Sequence, residues 1–357
     1  MPRRGENIYH RKDGRWEARY FKEYDEYHKI KYGYVYGSTY TEAKNKRNIL
    51  LLQKEKNENK KNKHLFSTIL DNWLTIKKDN IKESTYCRYV YIINTYIKNN
   101  LGNYSVDRIN EERISKFIIT MKNKGLSNKS IKDIIVLLKQ ILKYNKLYID
   151  IASPKVHKKE AVIMLQSDQR RLEAYILSNM NNVTFGILLT LYTGLRIGEL
   201  CALKWKDFDF DNKVLRVSHT MSRIKDLNSK KKKTKVIIEE PKTDNSIRKI
   251  PIPSSIILFA NKLKSNNEYY ILTNSLKFIE PRSLYYKYKS ILRRLKMENY
   301  NFHALRHTFA TRCIELGFDP KTLCEILGHS DISITLSLYV HPSFNLKTLS
   351  MEKLKLL

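Results

Sequence analysis

Long apolar runs are missing from this 357-residue chain. No stretch of about 18 apolar residues occurs, which excludes an ordinary membrane-spanning helix. The opening residues MPRRGENIYH contain no apolar segment of the kind a secretory signal requires. Cysteine is scarce and scattered: Cys87, Cys201, Cys313 and Cys324 form no CxxC pair, so they read as reduced, mostly buried thiols of a cytoplasmic protein. With only 11 glycines and 8 prolines, a loop-rich β architecture is not expected. Acidic residues are the last deficit. Against 67 Lys plus Arg stand 36 Asp plus Glu, a net charge of +31.

That surplus is spread along the chain, with +6 in residues 1–60, +9 in residues 61–150 and +16 in the remainder. A basic tail on a neutral enzyme would look different. Charge of one sign in every part points to an extended polyanion touched by all of them, most simply nucleic acid. Apolar residues make up 42% of the chain, enough for ordinary cores. At about 150 residues per domain, the length predicts two or three domains.

The pattern predicts a mainly α, multidomain protein. Residues 1–60 read as a small β-rich module: Asp13-Gly14 marks a turn, Trp16, Ala18 and Tyr20 alternate, and Ile30 to Tyr36 forms a second strand. Thr41 is the expected cap of a helix running through Ala43 and Leu50, and the Asn/Lys-rich stretch Lys54 to Lys63 is the expected linker. Residues 64–148 read as a four-helix bundle. Its stripes are Phe66, Ile69, Leu70 and Trp73; Tyr86, Tyr89, Val90, Ile93, Tyr96 and Ile97, capped by Ser84; Ile114, Phe117, Ile118 and Met121; and Ile131, Ile134, Ile135 and Leu138. A second linker is expected from Ile149 to Lys159. Residues 160–357 then form an α-rich domain with one small antiparallel sheet, its strands near 214–218, 236–239 and 247–250.

Three fragments of that last domain carry chemistry. In Thr193-Gly194-Leu195-Arg196-Ile197-Gly198-Glu199-Leu200, Gly194 closes one helix and Arg196 starts the next, where a guanidinium can fork onto a phosphate beside free backbone N–H groups. An Arg196–Glu199 pair three residues apart serves equally well as simple structure. In His303-Ala304-Leu305-Arg306-His307, His303 and Arg306 share a helix face, while Leu305, Phe309, Cys313 and Leu316 form its buried stripe. His303 and His307 lack the HExxH or CxxC spacing of a metal site, so no metal is expected. In the third fragment Gly328 ends a helix, His329 follows, and Tyr339 lies ten positions later.

Taken in this order, the fragments resemble the tyrosine recombinase (phage integrase) family, most of all integrases of bacterial mobile elements. The resemblance covers roughly residues 165–340, with matches at Arg196, Lys242, His303, Arg306, His329 and Tyr339. It implies that Tyr339 attacks a scissile phosphate to give a 3′-phosphotyrosyl link, with no nucleotide cofactor. Arg196, Arg306 and His329 would stabilise the transition-state oxygens. His303 would be the base for the Tyr339 proton, and Lys242, near Lys235 and Lys249, the acid for the leaving 5′-oxygen. Glu199 would orient Arg196 or a neighbour, unless it is purely structural.

The same resemblance implies an arm-site DNA-binding module at residues 1–60, a core-site DNA-binding domain at 64–148, and a catalytic domain at 160–357. It further implies a homotetramer on double-stranded DNA, a four-way junction, and an accessory bending or excision factor. Arg15, Arg19 and Lys31 are candidate DNA contacts on the first module. Lys230, Lys231, Lys232 and Lys233 either touch the DNA backbone or form a solvated loop. Two other functions compete: a DNA-binding regulator without catalysis, and a relaxing enzyme of the type IB topoisomerase kind.

Overall fold

The computed structural model describes residues 7–24, 29–63, 65–156, 162–227, 229, 233–240 and 247–328. Lys242, His329, Tyr339, Lys230, Lys231 and Lys232 lie outside the described residues. The chain divides into two compact units, Met1–Val156 and His157–Leu357. No described helix is long and apolar enough to cross a membrane.

The first unit begins with an antiparallel sheet of β1 (Ile8–His10), β2 (Trp16–Tyr24) and β3 (Ile30–Gly37), with β2 in the centre. The Asp13-Gly14 turn forms as expected, with Gly14 at φ +80°. One face carries Ile8 and Ala18, which pack against Ala43 of helix α1 (Tyr40–Lys63). Two expectations are corrected here. The helix is capped by Thr39, whose hydroxyl accepts from Glu42 N–H at 3.2 Å, and not by Thr41. Lys54 to Lys63 is no linker but the second half of α1. Lys, Glu and Gln are good helix formers, and no glycine or proline stops them.

The rest of this unit is helical: α2 (Phe66–Lys78), α3 (Glu83–Ile92), α4 (Lys98–Leu101), α5 (Glu111–Asn123) and α6 (Asn128–Tyr144). A π-type turn at Ile93–Ile97 joins α3 to α4 without a break, so the expected stripe from Tyr86 to Ile97 is one rod with a widened turn. Ser84 does not cap it: the helix begins at Glu83, after Lys82. Phe66, Leu70, Trp73, Ile93, Ile97, Ile114, Phe117, Met121, Ile131, Ile134, Ile135 and Leu138 form the core, while Ile69, Tyr86, Tyr89, Val90, Tyr96 and Ile118 line its edge. Ile151, in the expected second linker, is also buried in this core. Packing therefore extends past the last helix, and residues 157–161 lie outside the described residues.

The second unit contains α7 (Gln166–Ser178), α8 (Asn182–Thr193), α9 (Ile197–Ala202), β4 (Phe208–Asp209), β5 (Val214–Val217), β6 (Thr220–Lys225), β7 (Thr234–Glu239), β8 (Arg248–Pro251), α10 (Ser254–Leu263), α11 (Pro281–Arg294), α12 (Phe302–Glu315) and α13 (Pro320–Leu327). Helix α8 is apolar nearly all round and runs through the core. Two small antiparallel sheets replace the single one expected, β4-β5-β8 and a separate β6-β7 hairpin. Leu316 also departs from expectation. It caps α12 and is 77% exposed, because the chain turns away at Gly317 (φ +79°) and the buried stripe ends at Cys313.

Candidate active site

Helix α8 ends at Gly194, whose left-handed φ of +65° turns the chain sharply. A side chain there would also meet Leu327 and Phe309 at 2.7 Å, so glycine is required on both counts. Two residues on, Arg196 occupies the N-cap of α9 in an extended conformation, one position before the helical turn expected for it. Its backbone N–H donates to Glu199 Oε2 at 3.0 Å and its Nη1 to Glu199 Oε1 at 2.7 Å. Its Nη2 reaches the carbonyl of Gly328 at 3.3 Å. Helix α9 lies directly on β6: a Cβ on Gly198 would be 2.6 Å from the Met221 carbonyl oxygen.

Helix α12 starts at the cap Asn301, whose side chain accepts from Ala304 N–H at 2.9 Å. One turn later Arg306 is 3% exposed. Its Nη1 donates to the Gly194 carbonyl at 2.7 Å and its Nη2 to the Leu327 carbonyl at 2.7 Å. It thereby joins the C-terminal ends of α8 and α13, where helix dipoles favour a cation. Burial, and then the nearby Arg196 charge, pull its pKa down to about 9. A partly desolvated guanidinium beside another cation gains from any anion that arrives.

His303 keeps an open surface but stands among the same charges. Desolvation by the surrounding protein, the neighbouring His307, and then Arg306 and Arg196 lower its pKa to about 4. The His303 and His307 rings meet edge to face at 4.5 Å between centroids. At neutral pH His303 is therefore an uncharged base within a cationic site. Among the described residues no group of three or more His, Cys, Asp or Glu side chains gathers to hold a metal.

Glu199 is the buried anion of the cluster, 2% exposed. It serves two arginines, Arg196 and Arg248 at the start of β8. Arg248 Nη1 and Nη2 reach its two oxygens at 3.2 and 2.9 Å. Burial alone would raise the Glu199 pKa, but hydrogen bonds and charge from Arg248, then Arg196, outweigh it and hold it below its ordinary value. The sequence reading missed Arg248. The signal was present: Arg248 and Ile250 alternate with Lys249 along β8, so an arginine sits at an inward strand position, where burial demands a partner.

The other candidate residues belong to the first unit or stand apart. Arg15 and Arg19 lie on the sheet face opposite Ala43, and Lys31 is exposed on β3. Arg19 stacks over Tyr9 and Tyr34 at 4.8 and 5.6 Å, and Arg15 over Tyr36 at 5.5 Å. Exposed Tyr9, Phe21, Tyr32, Tyr34 and Tyr36 share that face, an aromatic component the charge pattern alone did not reveal. Glu17 beneath them binds Arg11 and Arg19 at 2.6 and 2.9 Å. Lys233, in the second unit, is exposed next to β7 and its carbonyl accepts from Asp226 N–H at 3.1 Å.

The helical domain is thus followed by a unit in which Arg196, Arg306 and an uncharged His303 gather beside Glu199, a cationic cluster of the kind that receives a phosphate. Comparison with known proteins agrees. Residues 156–345 match the phage integrase family, and residues 65–122 match the phage integrase N-terminal SAM-like domain. A tyrosine recombinase XerC-like protein of Caldanaerobacter subterraneus subsp. tengcongensis is 33% identical, over 80% of this chain and 81% of that one. The transposase from transposon Tn916 of Enterococcus faecalis is 24% identical, over 96% of this chain and 93% of its own length. The solved Tn1549 transposon integrase, in complex with a circular intermediate DNA, superposes with a TM-score of 0.66 at 23% identity, covering 82% of this chain and all of that one. The chain belongs to the phage integrase family. It is a tyrosine site-specific recombinase of the mobile-element integrase type, and neither a catalysis-free regulator nor a topoisomerase-like enzyme is favoured.

Proposed function

We propose that Tyr339 is the nucleophile and that Arg196, Lys242, His303, Arg306 and His329 complete the catalytic set. The observation supporting this is the meeting of Arg196, Arg306 and Glu199 around the end of α13, whose chain leaves Gly328 directly for His329. The Tyr339 oxygen attacks the scissile phosphorus while neutral His303 takes its proton. The bond from phosphorus to the 5′-oxygen breaks, and Lys242 protonates that oxygen. Arg196, Arg306 and His329 donate to the non-bridging oxygens, whose charge grows in the transition state. The covalent link preserves the energy of the phosphodiester, so rejoining needs no nucleotide.

The catalytic work falls to the second unit, core-site binding to the helices from Phe66 to Tyr144, and arm-site binding to the module ending with α1. The aromatic and basic face with Arg15 and Arg19, joined by the exposed Lys31 of β3, is the arm contact, and Lys230, Lys231, Lys232 and Lys233 follow the DNA backbone. The enzyme acts in the cytoplasm as a homotetramer on double-stranded DNA, assisted by a bending or excision factor. A Tyr339→Phe protein tests the assignment on a nicked suicide duplex carrying the recombination site mapped from DNA flanking the gene. It should bind that duplex and form no covalent adduct. Adduct at the wild-type level would remove Tyr339 from the mechanism.

A further inference from the structure

We propose that Arg248 is a positioning residue for strand cleavage, acting through Glu199 on Arg196 and through the last turn of α13 on the chain that carries His329 and Tyr339. The inference rests on the assignment of Arg196 and Tyr339 given above. A helix leaves its final carbonyls without partners of its own. Here three successive carbonyls at the end of α13 are met by arginines from three different elements. Arg248 of β8 donates from Nε to Ile326 at 2.7 Å, Arg306 of α12 reaches Leu327 at 2.7 Å, and Arg196 at the start of α9 reaches Gly328 at 3.3 Å. The backbone ladder of α13 closes with the Gly328 N–H on Cys324 and Glu325, and the three carbonyls beyond it are met by these side chains.

Arg248 differs from the other two. Arg196 is half-exposed, whereas Arg306 and Arg248 are both buried, and of those two only Arg248 joins Glu199 to the end of α13. One edge grips both oxygens of Glu199, and Nε grips Ile326. Glu199 in turn fixes Arg196 at its backbone and its Nη1. A single planar fork thus sets the distance between the Arg196 anchor and the α13 terminus, from which the chain proceeds to His329 and, ten residues on, to Tyr339. Lysine at this position keeps the charge opposite Glu199 but, as a point donor, cannot hold both partners in fixed geometry. A misplacement of about 1 Å at a reacting group can cost about 100-fold in rate.

The test compares full-length wild type, Arg248→Lys and Arg248→Met. Three quantities are read: melting temperature, affinity for the nicked suicide duplex described above, and single-turnover adduct formation per DNA-bound molecule. Arg248→Lys should melt and bind close to wild type yet form adduct about 10- to 100-fold more slowly per bound molecule. Arg248→Met should show the same kinetic defect with a lowered melting temperature. A purely structural residue would have rate and melting temperature recover together in the lysine variant. Arg248→Lys cleaving within about threefold of wild type per bound molecule would overturn the proposal, as would failure of that variant to yield folded, DNA-binding protein. If the wild-type control forms no adduct at Tyr339, the catalytic assignment itself fails and takes this inference with it.

Discussion

Replacing Glu199 by glutamine removes the charge at the centre of the arginine cluster while keeping its shape. The facing side chains of Glu199 and Arg248 are 3% and 5% exposed, so Arg248 would be left buried against a neutral amide. Breaking a buried ion pair by removing one partner costs about 3–5 kcal/mol. The second arm is weaker, because the Arg196 side chain is 39% exposed and such pairs contribute about 0–1 kcal/mol. For a unit of roughly 200 residues, each kcal/mol shifts the melting temperature by about 2–4 °C, so Glu199→Gln should melt about 6–20 °C lower at pH 7. Thermal unfolding followed by tryptophan fluorescence measures this. The sign with pH is also fixed. Glu199 titrates below its ordinary 4.5 in the folded chain, so its contribution is complete above that value and is lost as pH falls through the lower folded value. The gap between wild type and variant should be level above about pH 5 and close in acid. A shift under about 2 °C at pH 7, or a gap that persists in acid, would refute the reasoning.

His303 should act as a base down to low pH: with its pKa in the DNA-free chain at about 4, the acid limb of kcat/KM for cleavage, which reports the free enzyme, should lie near 4, and a limb near 6.5 would contradict the assignment. Lys242→Ala should slow cleavage about 10²- to 10⁴-fold on a normal duplex and lose most of that defect on one with sulfur at the 5′-bridging position. If sulfur rescues Lys235→Ala or Lys249→Ala instead, another lysine is the acid. Removing residues 1–63 should leave core-site cleavage intact and abolish binding to a separate arm site. That binding should weaken with salt at a log–log slope of about −0.9 per phosphate contact, and full arm-site affinity in the truncated protein would contradict the module's role.

Much of the fold was legible because apolar side chains recur at helical spacing. Phe66, Leu70 and Trp73, or Ile131, Ile134 and Leu138, can face a common core only as helices, and they do. The second half of α1 was not legible, since Lys54 to Lys63 has no apolar stripe and only backbone propensity speaks for a helix. β6 was missed for a similar reason: Thr220–Lys225 is short, and its pairing with β7 is set by partners across a loop. Arg196, Glu199, His303 and Arg306 stood out by local spacing, and the structure brings them together. Arg248 did not, because its partners are 49 and 78 residues away. Whether Glu199 held Arg196 or only the fold could not be read from i, i+3 spacing. It holds Arg196, and through Arg248 it ties β8 to the same point.

The central claim is that the covalent bond to DNA forms at Tyr339, and peptide mapping of a trapped adduct tests it most directly. Wild-type enzyme is incubated with the suicide duplex, the DNA is digested to a short remnant, and the protein is cut with trypsin for mass spectrometry. Cleavage after Lys321 and Lys347 releases a peptide of residues 322–347 with Tyr339 as its one tyrosine. The account predicts that the nucleotide mass appears on that peptide and that Tyr339→Phe abolishes it. A nucleotide remnant on any other of the 24 tyrosines, or on no peptide at all, would contradict it.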